Sequence, residues 1–101
     1  MAREFLCKLA DIPADSLKEV RSERGRKICA IRAGDAFYAC QSACPHEGHA
    51  LCNGVFDGTT LTCLEHFWQW DIRSGEPTGR AEAALRVFPV EVDGDSVYVD
   101  A

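Results

Sequence analysis

Apolar residues along this chain recur at every second position in short runs, and turn-forming residues interrupt each run before a helical period develops. REFLCKLA (3–10) predicts a strand, and LKEVRSE (17–23) alternates apolar and polar side chains before meeting Gly25. RKICAIRAGDAFYACQ (26–41) predicts a hairpin turning at Ala33-Gly34-Asp35, and VFDGTTLTC (55–63) a second one turning at Asp57-Gly58. HFWQWDI (66–72) predicts a strand ended by Arg73-Ser74-Gly75, and LRVFPVEVDGDSVYVD (85–100) a third hairpin turning at Asp93-Gly94. Single helical turns are expected at 12–17 and 79–85. Many short strands between regular turn signals predict an all-β chain, a small antiparallel sandwich or barrel. With 101 residues the chain is one domain, 1–101, with room for one hydrophobic core.

Charge changes this picture through its distribution. Residues 1–33 carry eight Lys/Arg against five Asp/Glu, whereas residues 34–101 carry three against eleven. An acidic surface repels phosphates, which argues against nucleic acid as a partner, and attracts basic protein surfaces. No apolar run reaches the ~18 residues of a membrane span, so no membrane partner is expected. The opening MAREFLCKLADIPADS breaks its apolar residues with charges and offers no signal-peptide core, which predicts a cytoplasmic location. Six cysteines in a reducing compartment suggest metal binding or buried thiols rather than a disulfide framework.

The strand pattern lapses at 43–54 and 63–66, and both lapses hold a cysteine next to a histidine: Cys44-Pro45-His46 and Cys63-Leu64-Glu65-His66. Because the 55–63 hairpin joins the two stretches, their tips can meet. Two thiolates and two imidazoles make a four-ligand metal set. Zinc accepts such a set in a tetrahedron, but zinc fingers pair their cysteines in one knuckle and carry their histidines on a helix. A [2Fe–2S] cluster with two cysteines on one iron and two histidines on the other would take one ligand per iron from each loop.

The pattern C-P-H…C-x-x-H in an all-β chain of this length resembles the Rieske-type ferredoxins of bacterial aromatic oxygenase systems. The resemblance extends over nearly the whole chain, through LADIP in the opening segment, the hairpin before the first Cys–His loop, and the closing FPVEVDGDSVYVD. CLEHFWQW is most similar to the ferredoxin components of toluene-type monooxygenases, which have a tryptophan two residues after the second histidine. Many Rieske ferredoxins have glycine directly after that histidine; Phe67 stands there in this chain.

The resemblance implies a Rieske-type fold whose cluster-binding part, about 43–69, is formed by two loops. It implies one [2Fe–2S] cluster, with Cys44 and Cys63 on the inner iron, His46 and His66 on the outer iron, and the segment around Pro77 covering it. It implies an electron carrier rather than an enzyme. A monomer would pass single electrons from an NADH-dependent flavoprotein reductase to the terminal hydroxylase of a multicomponent aromatic or hydrocarbon monooxygenase. The alternatives are the ferredoxin of a Rieske ring-hydroxylating dioxygenase, a nitrite-reductase-type small subunit, and a structural zinc module.

The other residues are read as follows. Cys7, Cys29 and Cys40 fall in strands and are expected as buried thiols. The Rieske proteins of respiratory complexes bridge an extra cysteine in each ligand loop; the second loop here holds only Cys63, so Cys52 is expected to make no disulfide. His49 is expected at the surface near the cluster, because H-E-G-H in a loop lacks the helical H-E-x-x-H of a zinc protease. Trp68 and Trp70 share one strand face. Glu47 and Glu65 disfavour adding an electron, and the serine of high-potential relatives is absent. Both features place the potential toward the lower end of the Rieske range of roughly −150 to +300 mV. Glu47, His49, Glu65 and Trp68 are the expected docking rim, with Glu4 as an acid on the far side.

Overall fold

The structure is a computed structural model in which residues 3–34, 36–43, 51–64, 67–79, 81 and 83–100 are described. The strands are, in chain order, β1 (Arg3–Lys8), β2 (Ser16–Arg21), β3 (Lys27–Ala33), β4 (Ala36–Gln41), β5 (Val55–Phe56), β6 (Thr60–Thr62), β7 (Trp68–Asp71), β8 (Pro77–Gly79), β9 (Val87–Phe88), β10 (Val90–Asp93) and β11 (Ser96–Asp100). They form three antiparallel sheets with the orders β1-β11-β10, β2-β3-β4-β9 and β5-β6-β7-β8. The only helical turns among the described residues are 3-10 turns at Leu9–Asp11 and Leu51–Asn53. No helix among them is long and apolar enough to cross a membrane.

The second sheet lies between the other two. Its strand β3 reads ICAI at its centre, apolar at successive positions, because both of its faces are buried. Ile28 and Ala30 pack with Leu6, Val97 and Val99 of the first sheet. Cys29 and Ile31 pack with Leu61, Cys63, Trp68 and Trp70 of the third. In β4 the same alternation sends Ala39 to the first cluster and Cys40 to the second. The expectation of one core is therefore corrected: a chain of this size builds two by sharing the middle sheet between them.

Three local departures have local causes. The hairpin expected over 85–100 breaks at Pro89, which lacks an N–H for a ladder. Val87–Phe88 pairs with β4, and Val90–Asp93 crosses to pair with β11. The helical turn expected at 12–17 forms earlier, at Leu9–Asp11, where the Asp11 carboxylate accepts the Lys8 N–H at 3.0 Å; Ser16 already pairs with Arg32. The helical turn expected at 79–85 is absent among the described residues. In that region β8 pairs with β7, and the buried Trp70 indole donates to the Ala83 carbonyl at 2.8 Å, tying the following segment to the second core.

Glu4 is also corrected. It is 2% exposed, and its carboxylate pairs with the Arg24 guanidinium at 3.4 Å. It is not a surface acid. Glu91 on β10, exposed and paired with Arg3 at 3.4 Å, serves instead as a reference in the sheet that carries neither Cys–His loop.

Candidate metal centre

The two Cys–His loops leave the second core side by side. The first departs from the end of β4 at Gln41, Ser42 and Ala43 and returns at Leu51, whose N–H donates to the Ser42 carbonyl at 2.8 Å. The second departs at Cys63, whose N–H donates to the Trp68 carbonyl at 2.9 Å at the start of β7. Leu51, Cys63 and Trp68 belong to one buried cluster, which brings the feet of the two loops together. Cys63 is 4% exposed. Cys44, His46 and His66, with Glu47, His49 and Glu65, lie outside the described residues.

Two contacts brace the loops. The Gln41 side chain donates to the Ala43 carbonyl at 2.6 Å and accepts the Arg86 N–H at 2.8 Å, tying the backbone one residue before Cys44 to the residue that precedes β9. Sequence reasoning passed over Gln41 as the end of a strand. Gly54 joins the 3-10 turn of the first loop to β6, since a Cβ there would collide with the Thr62 carbonyl oxygen and stand 3.0 Å from that of Leu51. Gly54→Ala is expected to cost about 2 kcal/mol by overpacking and to lower the iron bound per chain. Denaturant unfolding and iron analysis of the variant check both.

The cysteines sort differently from expectation. Cys29 and Cys52 form a disulfide with Cα atoms 5.8 Å apart, correcting the expectation of two unlinked thiols. The partner of Cys52 is in β3, beneath the first loop, not in the second loop. Burial pushes the Cys40 thiol up to about 12. Burial, with Asp11 adding to it, pushes Cys7 up to about 11. At neutral pH both stay protonated and poorly nucleophilic.

Around the loops, Trp68 is 7% exposed and Trp70 fully buried, their rings edge-on at 6.2 Å. Trp68 is core, which corrects its place on the docking rim. Phe67 points the other way, 59% exposed, with a φ of 58°. That left-handed conformation suits glycine and costs roughly 1–2 kcal/mol in a residue with a Cβ. Pro77 pairs with Trp70, while Gly79 pairs with Trp68 at the level of the second loop. The register thus sets Pro77 two positions away from that level. Nor is the loop end uniformly acidic: a groove beside Ala43 of about 560 Å³ is lined by Arg26, Lys27 and Arg86 as well as Glu19.

A family model described as the Rieske [2Fe–2S] domain matches residues 3–89. The chain belongs to the Rieske [2Fe–2S] family. Within that family it is 35% identical to the methanesulfonate monooxygenase ferredoxin subunit of Methylosulfonomonas methylovora, over 93% of this chain and 77% of that one. It is 30% identical to the ferredoxin component of the p-cumate 2,3-dioxygenase system of Pseudomonas putida, over 94% and 82%. Among solved structures it matches a chain in a complex of reduced oxygenase and oxidised ferredoxin of carbazole 1,9a-dioxygenase. That match has a TM-score of 0.84 and 28% identity, covering 96% of this chain and 91% of the other.

This Rieske chain is thus an electron-transfer protein of oxygenase-system ferredoxin type, not a catalytic subunit. It carries one [2Fe–2S] cluster with two cysteine and two histidine ligands. The geometry fits that group: a buried Cys63 at the foot of one loop, the foot of the other packed against it, and each loop closed by a backbone hydrogen bond.

Proposed function

We propose that Cys44, His46, Cys63 and His66 hold the cluster, within a cluster-binding part spanning about 43–69. We further propose that the protein carries single electrons from an NADH-dependent flavoprotein reductase to the terminal hydroxylase of a multicomponent monooxygenase acting on aromatic or related hydrocarbons. The observation that carries this reading is the joining of the two loop feet, Leu51 with Cys63 and Trp68, in one buried cluster. When bound, the cluster supplies a one-electron store. The chain's own residues do the rest. Cys63 would hold it from the buried side, Leu51 and the tryptophans packed with Cys63 would exclude water there, and Gln41 and Gly54 brace the feet of the loops. The carrier acts as a cytoplasmic monomer.

A second reading, the ferredoxin of a ring-hydroxylating dioxygenase, is favoured by the p-cumate and carbazole relatives, both parts of dioxygenase systems. The two differ in the oxygenase served, not in what this chain does.

Docking is tested by charge. Glu65 directly precedes His66 in sequence. Rim charges act mainly on association rate and its salt dependence, and the screening length of about 8 Å at physiological salt restricts the effect to charges near the contact. Glu65→Gln is expected to slow electron delivery to the hydroxylase severalfold at low salt and to flatten the salt dependence. Glu91→Gln is expected to do neither. Single-turnover transfer across a salt series makes the comparison. Equal rates and slopes for both variants and the parent would remove the loop tip as the electrostatic docking site.

A further inference from the structure

Large apolar side chains exposed to solvent are few among the described residues, and most of them gather at one place. Among the described residues they are Val55, Leu64, Phe67 and Val92. Val92 is on β10 in the first sheet. The other three gather at the end of the third sheet where the second loop departs: Val55 pairs with Thr62, next to Cys63, and Leu64 and Phe67 flank the Glu65–His66 pair in sequence. Leu64 is 51% and Phe67 59% exposed.

Phe67 is unusual in a second, independent way. Its φ of 58° is the left-handed conformation, which it shares among described non-glycine residues only with Asp15. A bulky residue is rarely found there. Trp68 and Trp70 fill the buried face of β7, so the Phe67 ring adds no packing to that core. A strained backbone that presents an aromatic ring to water calls for a use of that ring outside the folded chain.

The geometry points to Phe67, with Leu64, as the apolar anchor by which this protein recognises its terminal oxygenase. The inference rests on the carrier function proposed above. Transient redox complexes bury little area, so one or two well-placed aromatic or aliphatic side chains at the centre, ringed by polar groups, can dominate the affinity. Phe67 and Leu64 are exposed and stand in sequence on either side of Glu65 and of the proposed ligand His66. The surface it fits is an apolar depression on the oxygenase beside its electron-accepting group. An oxygenase is the partner found with a 28%-identical chain in the carbazole dioxygenase complex.

The test separates contact from fold. Phe67→Gly removes the ring and relieves the backbone at once. It is expected to leave the cluster spectrum unchanged and the thermal midpoint equal or higher, yet to weaken binding to the oxygenase, read by calorimetry, and the second-order rate of electron delivery by about tenfold. Phe67→Leu keeps an apolar side chain in the same strained conformation and should lose no more than about threefold. Leu64→Asn should act in the same direction as Phe67→Gly. Unchanged affinity and rate in Phe67→Gly would overturn the proposal, as would a loss of cluster or stability with no separate effect on binding. Slowing confined to the reductase step would overturn it too. So would a self-association of the parent that disappears in Phe67→Gly while transfer stays unchanged. If the parent itself delivers no electrons to the oxygenase, the carrier function fails first; if the parent delivers them and Phe67→Gly does so equally well, only the anchor fails.

Discussion

Exchanging both proposed histidine ligands for cysteine, His46→Cys with His66→Cys, lowers the reduction potential of the bound cluster by roughly 250 mV or more, from the Rieske range toward the approximately −400 mV of all-thiolate plant-type ferredoxins. The cause is charge. A neutral imidazole on the electron-accepting iron becomes an anionic thiolate at both positions, and each added negative charge disfavours the incoming electron. Protein-film voltammetry reads the shift, and electron paramagnetic resonance of the reduced form reads the loss of nitrogen ligation. Cys44→Ser and Cys63→Ser remove a proposed inner ligand each and should lower bound iron and acid-labile sulfide by at least about tenfold, the lower bound set by the 10–100-fold cost of altering even the partners of a metal ligand. A parent protein with one zinc and no sulfide would contradict the ligand assignment outright.

Cys52→Ser lowers the stability of the oxidised protein by about 3 kcal/mol, the loop-closure value for a cross-link spanning 23 residues. The bridge joins β3 to the 3-10 turn at the base of the first Cys–His loop, so the loss falls on that base. Iron retention during denaturant titration should decline with it. In strong reductant the parent loses the same constraint, and the two proteins should unfold at nearly the same denaturant concentration. The gap between the oxidising and reducing titrations is therefore the measurement. Identical unfolding of Cys52→Ser and the parent in oxidising buffer would show that the Cys29–Cys52 link contributes nothing in solution. In the reducing cytoplasm proposed for this protein the dithiol form is favoured.

What could be read ahead of the structure was local. Period-two alternation and turn chemistry located β1 to β7 to within a few residues, because side-chain direction and glycine turns are properties of adjacent positions. The proposed ligand residues stood out by type and spacing. The missed features depend on distant partners. The extent of β8 is set by its pairing with β7, and the Pro89 crossing by the competition between β4 and β11 for one run of residues. The Cys29–Cys52 bridge needed the fact that Cys29 faces the second core; alternation puts it on the same side as Ile31, but which side lies under the first loop is decided by sheet packing. Burial of Glu4 follows from Arg24, brought to it by the turn between β2 and β3. Phe67 was noticed as a departure from a glycine pattern, and its meaning came only with its φ and exposure.

The carrier function is tested most directly by mixing the chemically reduced protein, free of reductant, with the oxidised terminal oxygenase of its own system and following both spectra in a stopped-flow instrument. Oxidation of this protein should proceed as a single second-order process that slows as salt is raised, delivering one electron per chain. Addition of the reductase and NADH should then restore the reduced protein and sustain product formation that ceases when this chain is omitted. A reduced protein that keeps its electron in the presence of the oxygenase, or an oxygenase that turns over equally well with reductase alone, would contradict its role as the carrier between them.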